Sequence, residues 1–331
     1  MSTSEKETPD FAPSSETPGA TSGKPGTEGA EFPPGVSSAS LKDSDFSDLE
    51  ELSRRGRWLV LSTVAGSGAG HVGGPMSAMD LLISLFFQGM DIRPEEPNWS
   101  ERDRFILSKG HAAIGLYTVM ALRGFFPVEE LKTFDKGNSR LQGHPDVTKL
   151  PGLETSTGSL GMGLSVGIGF ALGAQKKQQR FHSFVMIGDG ELQEGMVWEG
   201  LHLAPRYQLG NLTAILDWNG LQQFGWLKYQ DGDGRGDRRD PWNNVDLAAI
   251  FAHLGWRVMQ IDGHRFDEIL PAIRECKAQP LHGRPTMIIA RTLKGKGLSF
   301  TEGKFEWHSK VANQAELDLA RRELQIGEAA K

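Results

Sequence analysis

Cysteine is almost absent: Cys276 is alone among 331 residues. No intrachain disulfide and no multi-cysteine metal site can therefore form. Such a chain suits a reducing compartment, and cytoplasmic localisation is the expectation. Long apolar runs are missing too. The longest largely apolar stretch, Leu81 to Phe87, falls far below the roughly 20 residues that a membrane-spanning helix needs. The N-terminus, MSTSEKETPD, has no apolar core of the kind a secretory signal carries. Positive charge is not in excess. The net charge is −6, with ten Asp or Glu against three Lys in the first 50 residues, so the other 281 residues sum to +1. A near-neutral body is not the footprint of a nucleic-acid binder, and neither nucleic acid nor membrane is an expected partner. No GxxxxGK[ST] phosphate loop is present, and Gly161-Met-Gly163 lacks the third glycine of a dinucleotide turn. No HxxxH or HxH spacing supports a histidine zinc site.

What is present divides into a tail and a body. Residues 1–42 are dominated by Ser, Thr, Pro, Gly, Glu and Ala, with Phe11 and Phe32 as the only aromatics. Too little apolar surface is available there to offset ordering entropy, so a disordered acidic tail is expected. Residues 43–331 read as one ordered domain. Its first helix should begin near Ser44 or Ser47, plausible N-caps ahead of Leu49, Leu52, Trp58, Leu59 and Leu61. Met79–Phe87 and Ile114–Leu122 read as buried helices, and the Gly-rich stretch Gly158–Gly173 as a closely packed one. Four short apolar runs, 184–187, 212–216, 256–261 and 286–290, are each preceded by a helical-length segment. That rhythm predicts an α/β fold, a parallel sheet with helices on both faces. Residues 228–243 read as a long polar loop.

In parallel sheets, ligands bind at the carboxyl ends of the strands. Here those ends carry Asp189, Asp217, Asn219 and Asp262. Gly188-Asp189-Gly190 alone is as readily an ordinary turn as a ligand site. Asn219 raises its interest, because neighbouring strand ends would bring a carboxylate and an amide oxygen together. Two hard oxygens beside a Gly-rich turn suit Mg²⁺ held partly by a diphosphate. A lone histidine near a loop is usually a surface or capping group. Yet His71, His111, His144 and His308 all lie beside Gly, Pro or Trp at loop positions. Together they suggest a polar pocket for proton transfer and hydroxyl recognition.

Ser108-Lys-Gly-His111, Gln142-Gly-His-Pro-Asp146, Ser156-Thr-Gly-Ser-Leu-Gly161 and Gly188-Asp-Gly-Glu-Leu-Gln-Glu-Gly195, closing with Asp217-Trp-Asn219, resemble the transketolase family. The match is to its N-terminal, diphosphate-binding half and runs from about Leu49 to about Ser309. The resemblance implies the thiamine diphosphate-binding fold, thiamine diphosphate and Mg²⁺ (or Ca²⁺ or Mn²⁺), and transfer of a two-carbon ketol unit between sugars. It implies Asp189, Asn219 and the Leu221 carbonyl as metal ligands. Gly158, Ser159, Leu160, Gly190, Gln223 and Lys294 become further cofactor contacts. His71, His111, His144 and His308 match active-site histidines, with His308 and His71 expected to move protons and His144 and His111 to orient groups. Glu194 matches a residue that meets the partner half. Val72, Met162 and Ser309 depart from the usual Pro, Gln and Gly, close to where substrate would lie.

Two other readings stay open. One is the α subunit of a 2-oxo acid dehydrogenase, which also carries Gly-Asp-Gly and a downstream Asn, but without Ser-Lys-Gly-His or Gly-His-Pro. The other is a non-catalytic scaffold subunit of the same fold. After Ser309 only 22 residues remain, with one helical pattern (Ala315, Leu317, Leu319, Leu324). They are too few for a second α/β domain. A separate, C-terminal-type pyrimidine-binding subunit is therefore the expected partner, in an α2β2 heterotetramer acting on sugar substrates.

Overall fold

The computed structural model describes residues 46–223, 242 and 245–327. The tail at 1–42, and all of the loop at 228–243 except Trp242, lie outside the described residues.

The first helix, α1 (Ser47–Ser67), buries Leu49, Leu52, Val60, Leu61 and Val64 on one face. Ser47 is its first helical residue rather than its cap, and Ser44 lies outside the described residues. Phe46 holds the cap position with no side-chain cap bond, and its ring packs on Phe266. The helix stops at Gly68, whose left-handed φ of 79° lets its N–H close on Val64 O. Two short buried helices follow, α2 (Gly73–Ser77) and α3 (Met79–Ser84), the second continuing into a π turn at Leu85–Gly89.

Next comes β1 (Arg104–Leu107), a strand the apolar runs did not reveal, and then α4 (Ala113–Arg123). The Gly-rich stretch forms a helix only from Gly163, as α5 (Gly163–Lys177). Then come β2 (Ser183–Gly188), α6 (Gly195–Arg206) and β3 (Leu212–Trp218). The chain continues through α7 (Leu247–His253), β4 (Arg257–Asp262), α8 (Phe266–Lys277), β5 (Thr286–Arg291) and α9 (Gln314–Glu323).

All strands pair in parallel, in the order β1-β2-β3-β5-β4. The apolar runs are continuous because the sheet is covered on both sides. Phe184 and Met186 join one core with α1, α3, α4 and α8, while Val185 and Ile187 join another with α5, α6 and α7. This is the expected fold class.

Two sequence spacings that resemble nucleotide or hydrolase turns are explained by their location. Gly68–Gly73 has the GxGxxG spacing but follows a helix, not a strand, and Gly163–Gly167 has the GxSxG spacing but lies inside α5. Neither sits on the strand-to-helix turn its chemistry requires.

The register decides the site. Gly188 pairs with Asp217 across β2 and β3, so Asp189 and Asn219 leave adjacent strands almost side by side. Asp262 ends β4, which β5 separates from β3, and it lies away from them.

Candidate active site

A cavity of about 360 Å³ opens at these strand ends. Of the residues expected from sequence, His71, His111, Gly158, Leu160, Asp189, Gly190, Glu194, Asn219, Leu221, Gln223, Lys294 and His308 line it. Ser159 and His144 do not. Ser159 faces solvent. His144 lines a neighbouring recess with Asp135 and Asp146, although its ring lies 6.2 Å from that of His71. Sequence reasoning assigned no role to Lys109, Glu191 or Gln222, which also face the cavity.

Two glycines bring the loops together. A Cβ at Gly110 would sit 2.7 Å from the Thr157 carbonyl carbon, so only glycine lets the Ser108–His111 loop meet the Gly158 turn. Gly161 has φ of 87° and would meet Glu194 Cβ at 2.7 Å, which is why the helix waits until Gly163. Glu191, buried beneath, accepts bonds from Gly161 N, Gly188 N and Ser108 Oγ, tying three segments into one floor.

The histidines do converge. The rings of His71, His111 and His308 are mutually 5.1 Å apart. Burial pushes all three below the ordinary imidazole range, with nearby cations and histidines adding to it, His111 to about 2 and His308 to about 3. They are neutral at pH 7 and able to give and take protons without a standing charge. Lys294 Nζ lies 3.0 Å from His308 Nδ1. The ammonium donates, so His308 carries its hydrogen on Nε2. Lys294 Nζ also donates to the carbonyls of Gln222 at 2.8 Å and Leu221 at 3.2 Å. Burial outweighs the pull of Asp189 and brings this lysine down to about 8.

Asp189 accepts from Gly190 N at 2.8 Å and Gly220 N at 2.6 Å. Its carbonyl accepts from Trp242 Nε1 at 2.7 Å, which ties Trp242 to the turn. Burial, with Asp217 nearby, raises its carboxyl to about 7 despite those two N–H groups. Asn219 Oδ1 accepts from Leu221 N at 3.1 Å.

One carboxylate, one amide oxygen and one carbonyl form an incomplete hard-oxygen set of the kind Mg²⁺ completes with phosphates and water. The rest of the lining fits the diphosphate. Lys294 supplies a cation, the charge of Lys109 being matched by Asp217, and Gln222 Nε2 is buried beside Gly190 with no hydrogen-bond partner among the described residues. A buried amide left unpaired is unfavourable by about 1–3 kcal/mol, which a phosphate acceptor would relieve.

Comparison with known proteins agrees. Residues 50–330 match the family described as "Transketolase, thiamine diphosphate binding domain". The chain is 37% identical over 278 residues to the 6-deoxy-6-sulfo-D-fructose transketolase subunit SqwG of Clostridium sp. (strain MSTE9), covering 84% of this chain and 96% of that protein. It is 34% identical over 276 residues to an apulose-4-phosphate transketolase subunit of Phocaeicola vulgatus, covering 83% and 93%. The crystal structure of Campylobacter jejuni transketolase superposes with a TM-score of 0.74 at 30% identity, over 84% of this chain and 42% of that one. With residues 50–330 matched by that family and 84% of the chain superposing on a solved transketolase, this protein belongs to the transketolase family.

Proposed function

We propose that this chain is the diphosphate-holding subunit of a two-subunit transketolase, moving a two-carbon ketol unit from a ketose or its phosphate to an aldose or its phosphate. The observation that carries this reading is the meeting of three neutral histidines with Asp189 and Asn219 in one cavity. A scaffold subunit would have no need of that set. The 2-oxo acid dehydrogenase reading loses ground to relatives named as transketolase subunits.

Asp189, Asn219 Oδ1 and the Leu221 carbonyl would hold Mg²⁺, or Ca²⁺ or Mn²⁺. Gly158, Leu160, Gly190, Gln223 and Lys294 would surround the cofactor, with Ser159 on the solvent side of the same turn. When bound, thiamine diphosphate supplies the nucleophilic carbon and electron sink for carbon–carbon cleavage and formation. The chain's own task is to place sugar hydroxyls and move their protons. His308, donating from Nε2, and His71 carry those protons. His111 and His144 orient the diphosphate and the sugar. Neutral rings suit this work, since each is able to accept a hydroxyl proton and return it.

Partner dependence has support at the cavity mouth. Leu160, Met162 and Met196 are 36%, 48% and 42% exposed, and they cluster around Gly161 beside the exposed Glu194. An apolar patch of this kind at a cavity rim suits a protein interface. We place there a separate pyrimidine-binding subunit, in an α2β2 assembly with sites shared between chains. The free, buried Cys276 supports a reducing, cytoplasmic setting. The test is an assay of the purified chain with thiamine diphosphate, Mg²⁺, a ketose donor and an aldose acceptor, with and without the candidate partner. Transfer is expected only with both subunits. Full transfer by the single chain would overturn the split-subunit reading.

A further inference from the structure

Next to the proposed metal ligands lies a buried chain of polar groups that the mechanism above does not use. It begins at Lys109 on the loop after β1, whose ammonium pairs with Asp217 at the end of β3. The other Asp217 oxygen accepts from Thr292 Oγ1. Ser77, the last residue of α2, is wholly buried, and its Oγ lies 2.6 Å from Asp217 Oδ2 and 3.3 Å from Asn219 Nδ2.

The direction of each bond in this chain is forced. Lys109 can only donate and the ionised Asp217 can only accept. The Ser77 hydroxyl has one hydrogen. Two acceptors are in reach, the Asp217 carboxylate at 2.6 Å and Gly74 O at 2.9 Å. The charged, shorter contact takes the hydrogen. Toward Asn219, Ser77 then offers only a lone pair, so the amide atom facing it is the nitrogen. The opposite end of the amide gives the same answer independently, because Leu221 N–H must meet an oxygen there, at 3.1 Å.

We propose that Ser77, backed by Asp217, is a positioning residue for the metal site: it holds the Asn219 amide in the one orientation that presents Oδ1 rather than Nδ2 to the cation. This rests on the metal-site reading given above. Without the Ser77 acceptor, the amide loses its anchor on one side and is free to turn Nδ2, which cannot ligate, toward the site. The same chain explains why Asp217, a strand-end carboxylate one register step from Asp189, is not itself a ligand: its charge is matched by Lys109, and both its oxygens already accept, from Lys109, Ser77 and Thr292.

The test measures the Mg²⁺ dependence of thiamine diphosphate binding to the full chain by calorimetry, alongside the melting temperature without metal or cofactor. Ser77→Ala is expected to weaken apparent Mg²⁺ affinity by about 10- to 100-fold, the usual effect of removing an outer partner of a metal ligand. Its metal-free melting temperature should stay near the parent's, and Ser77→Thr, which keeps the hydroxyl, should return affinity toward the parent value. Asp189→Ala runs in parallel. If it abolishes the Mg²⁺ dependence while Ser77→Ala binds as the parent does, the positioning role is wrong and the metal site stands. If Asp189→Ala binds as the parent does, the metal site falls and this inference falls with it. A Ser77→Ala chain that melts early, and whose affinity Ser77→Thr does not restore, would show a packing role and overturn the proposal.

Discussion

Asp189 and Asp217 end neighbouring strands, both buried, yet their surroundings differ in one respect. Asp217 faces the Lys109 ammonium, with hydroxyls of Ser77 and Thr292. Burial pushes its carboxyl up, but that cation and those donors prevail and hold it below the ordinary range. Asp189 has two backbone N–H groups and, among the described residues, no ion-pair partner, and burial lifts it to about 7. Asp80, which does not line the cavity, follows Asp217. It pairs with Arg57 through two contacts and with His264 Nδ1 at 2.7 Å. A buried carboxylate with a matched cation is part of the framework, and one without is a place for an incoming cation.

Four substitutions sharpen or break that contrast. The largest effect is expected at the unmatched carboxylate: Asp189→Ala should abolish Mg²⁺-dependent thiamine diphosphate binding while the cofactor-free chain melts close to the parent temperature. Calorimetric binding equal to the parent's would erase the distinction between the two aspartates.

Lys109→Met should act on stability instead. It strands Asp217 as a buried, uncompensated charge, and breaking such a pair typically destabilises by about 3–5 kcal/mol. Urea unfolding that gives the same midpoint as the parent would mean that the pair is not structural.

Asp80 brings in pH. Burial pushes its carboxyl up, but Arg57 and then His264 overcome that and leave it well below the usual range. A depressed carboxyl contributes stability that is present above its unfolded value near 3.9 and lost as pH falls toward the folded value. Asp80→Asn should remove on the order of 2–3 kcal/mol at neutral pH and flatten the acid limb of the stability curve. An unchanged limb would remove Asp80 from the matched class.

The smallest effect concerns a backbone clamp. Val72 N–H donates to His308 O at 3.1 Å, joining the His71 loop to His308 without any charge. Val72→Pro removes that donor and forces the backbone away from φ of −115°. A loss of about 1–3 kcal/mol is expected, for an orphaned carbonyl. If His308-dependent turnover with the partner and the melting temperature both match the parent, the clamp is incidental.

Much of the site was legible because its groups stand at strand ends that the apolar runs already marked. Asp189 and Asn219 were paired by that rhythm alone, and β2 and β3 are indeed adjacent. β1 escaped because Arg104–Leu107 is four residues long and begins with a charge, leaving no run to see. With it went the placement of Lys109 and His111. The helix expected from Gly158 begins at Gly163, since a backbone φ of 87° at Gly161 does not fit a helix, and glycine abundance alone does not show which glycine takes it. The N-cap expected at Ser44 or Ser47 is Phe46, which makes no side-chain cap bond and packs its ring on Phe266.

By itself, the sequence determined the fold class and the inventory of reactive groups, because period, glycine spacing and residue type are local properties. It could not determine the partners. Lys109 meets Asp217 across 108 positions and Ser77 meets Asn219 across 142, distances bridged only by strand order and register. Which aspartate is matched and which is open is therefore a property of the tertiary structure. Burial fixes how large the charge imbalance is, and the sheet fixes which cation is near enough to cancel it.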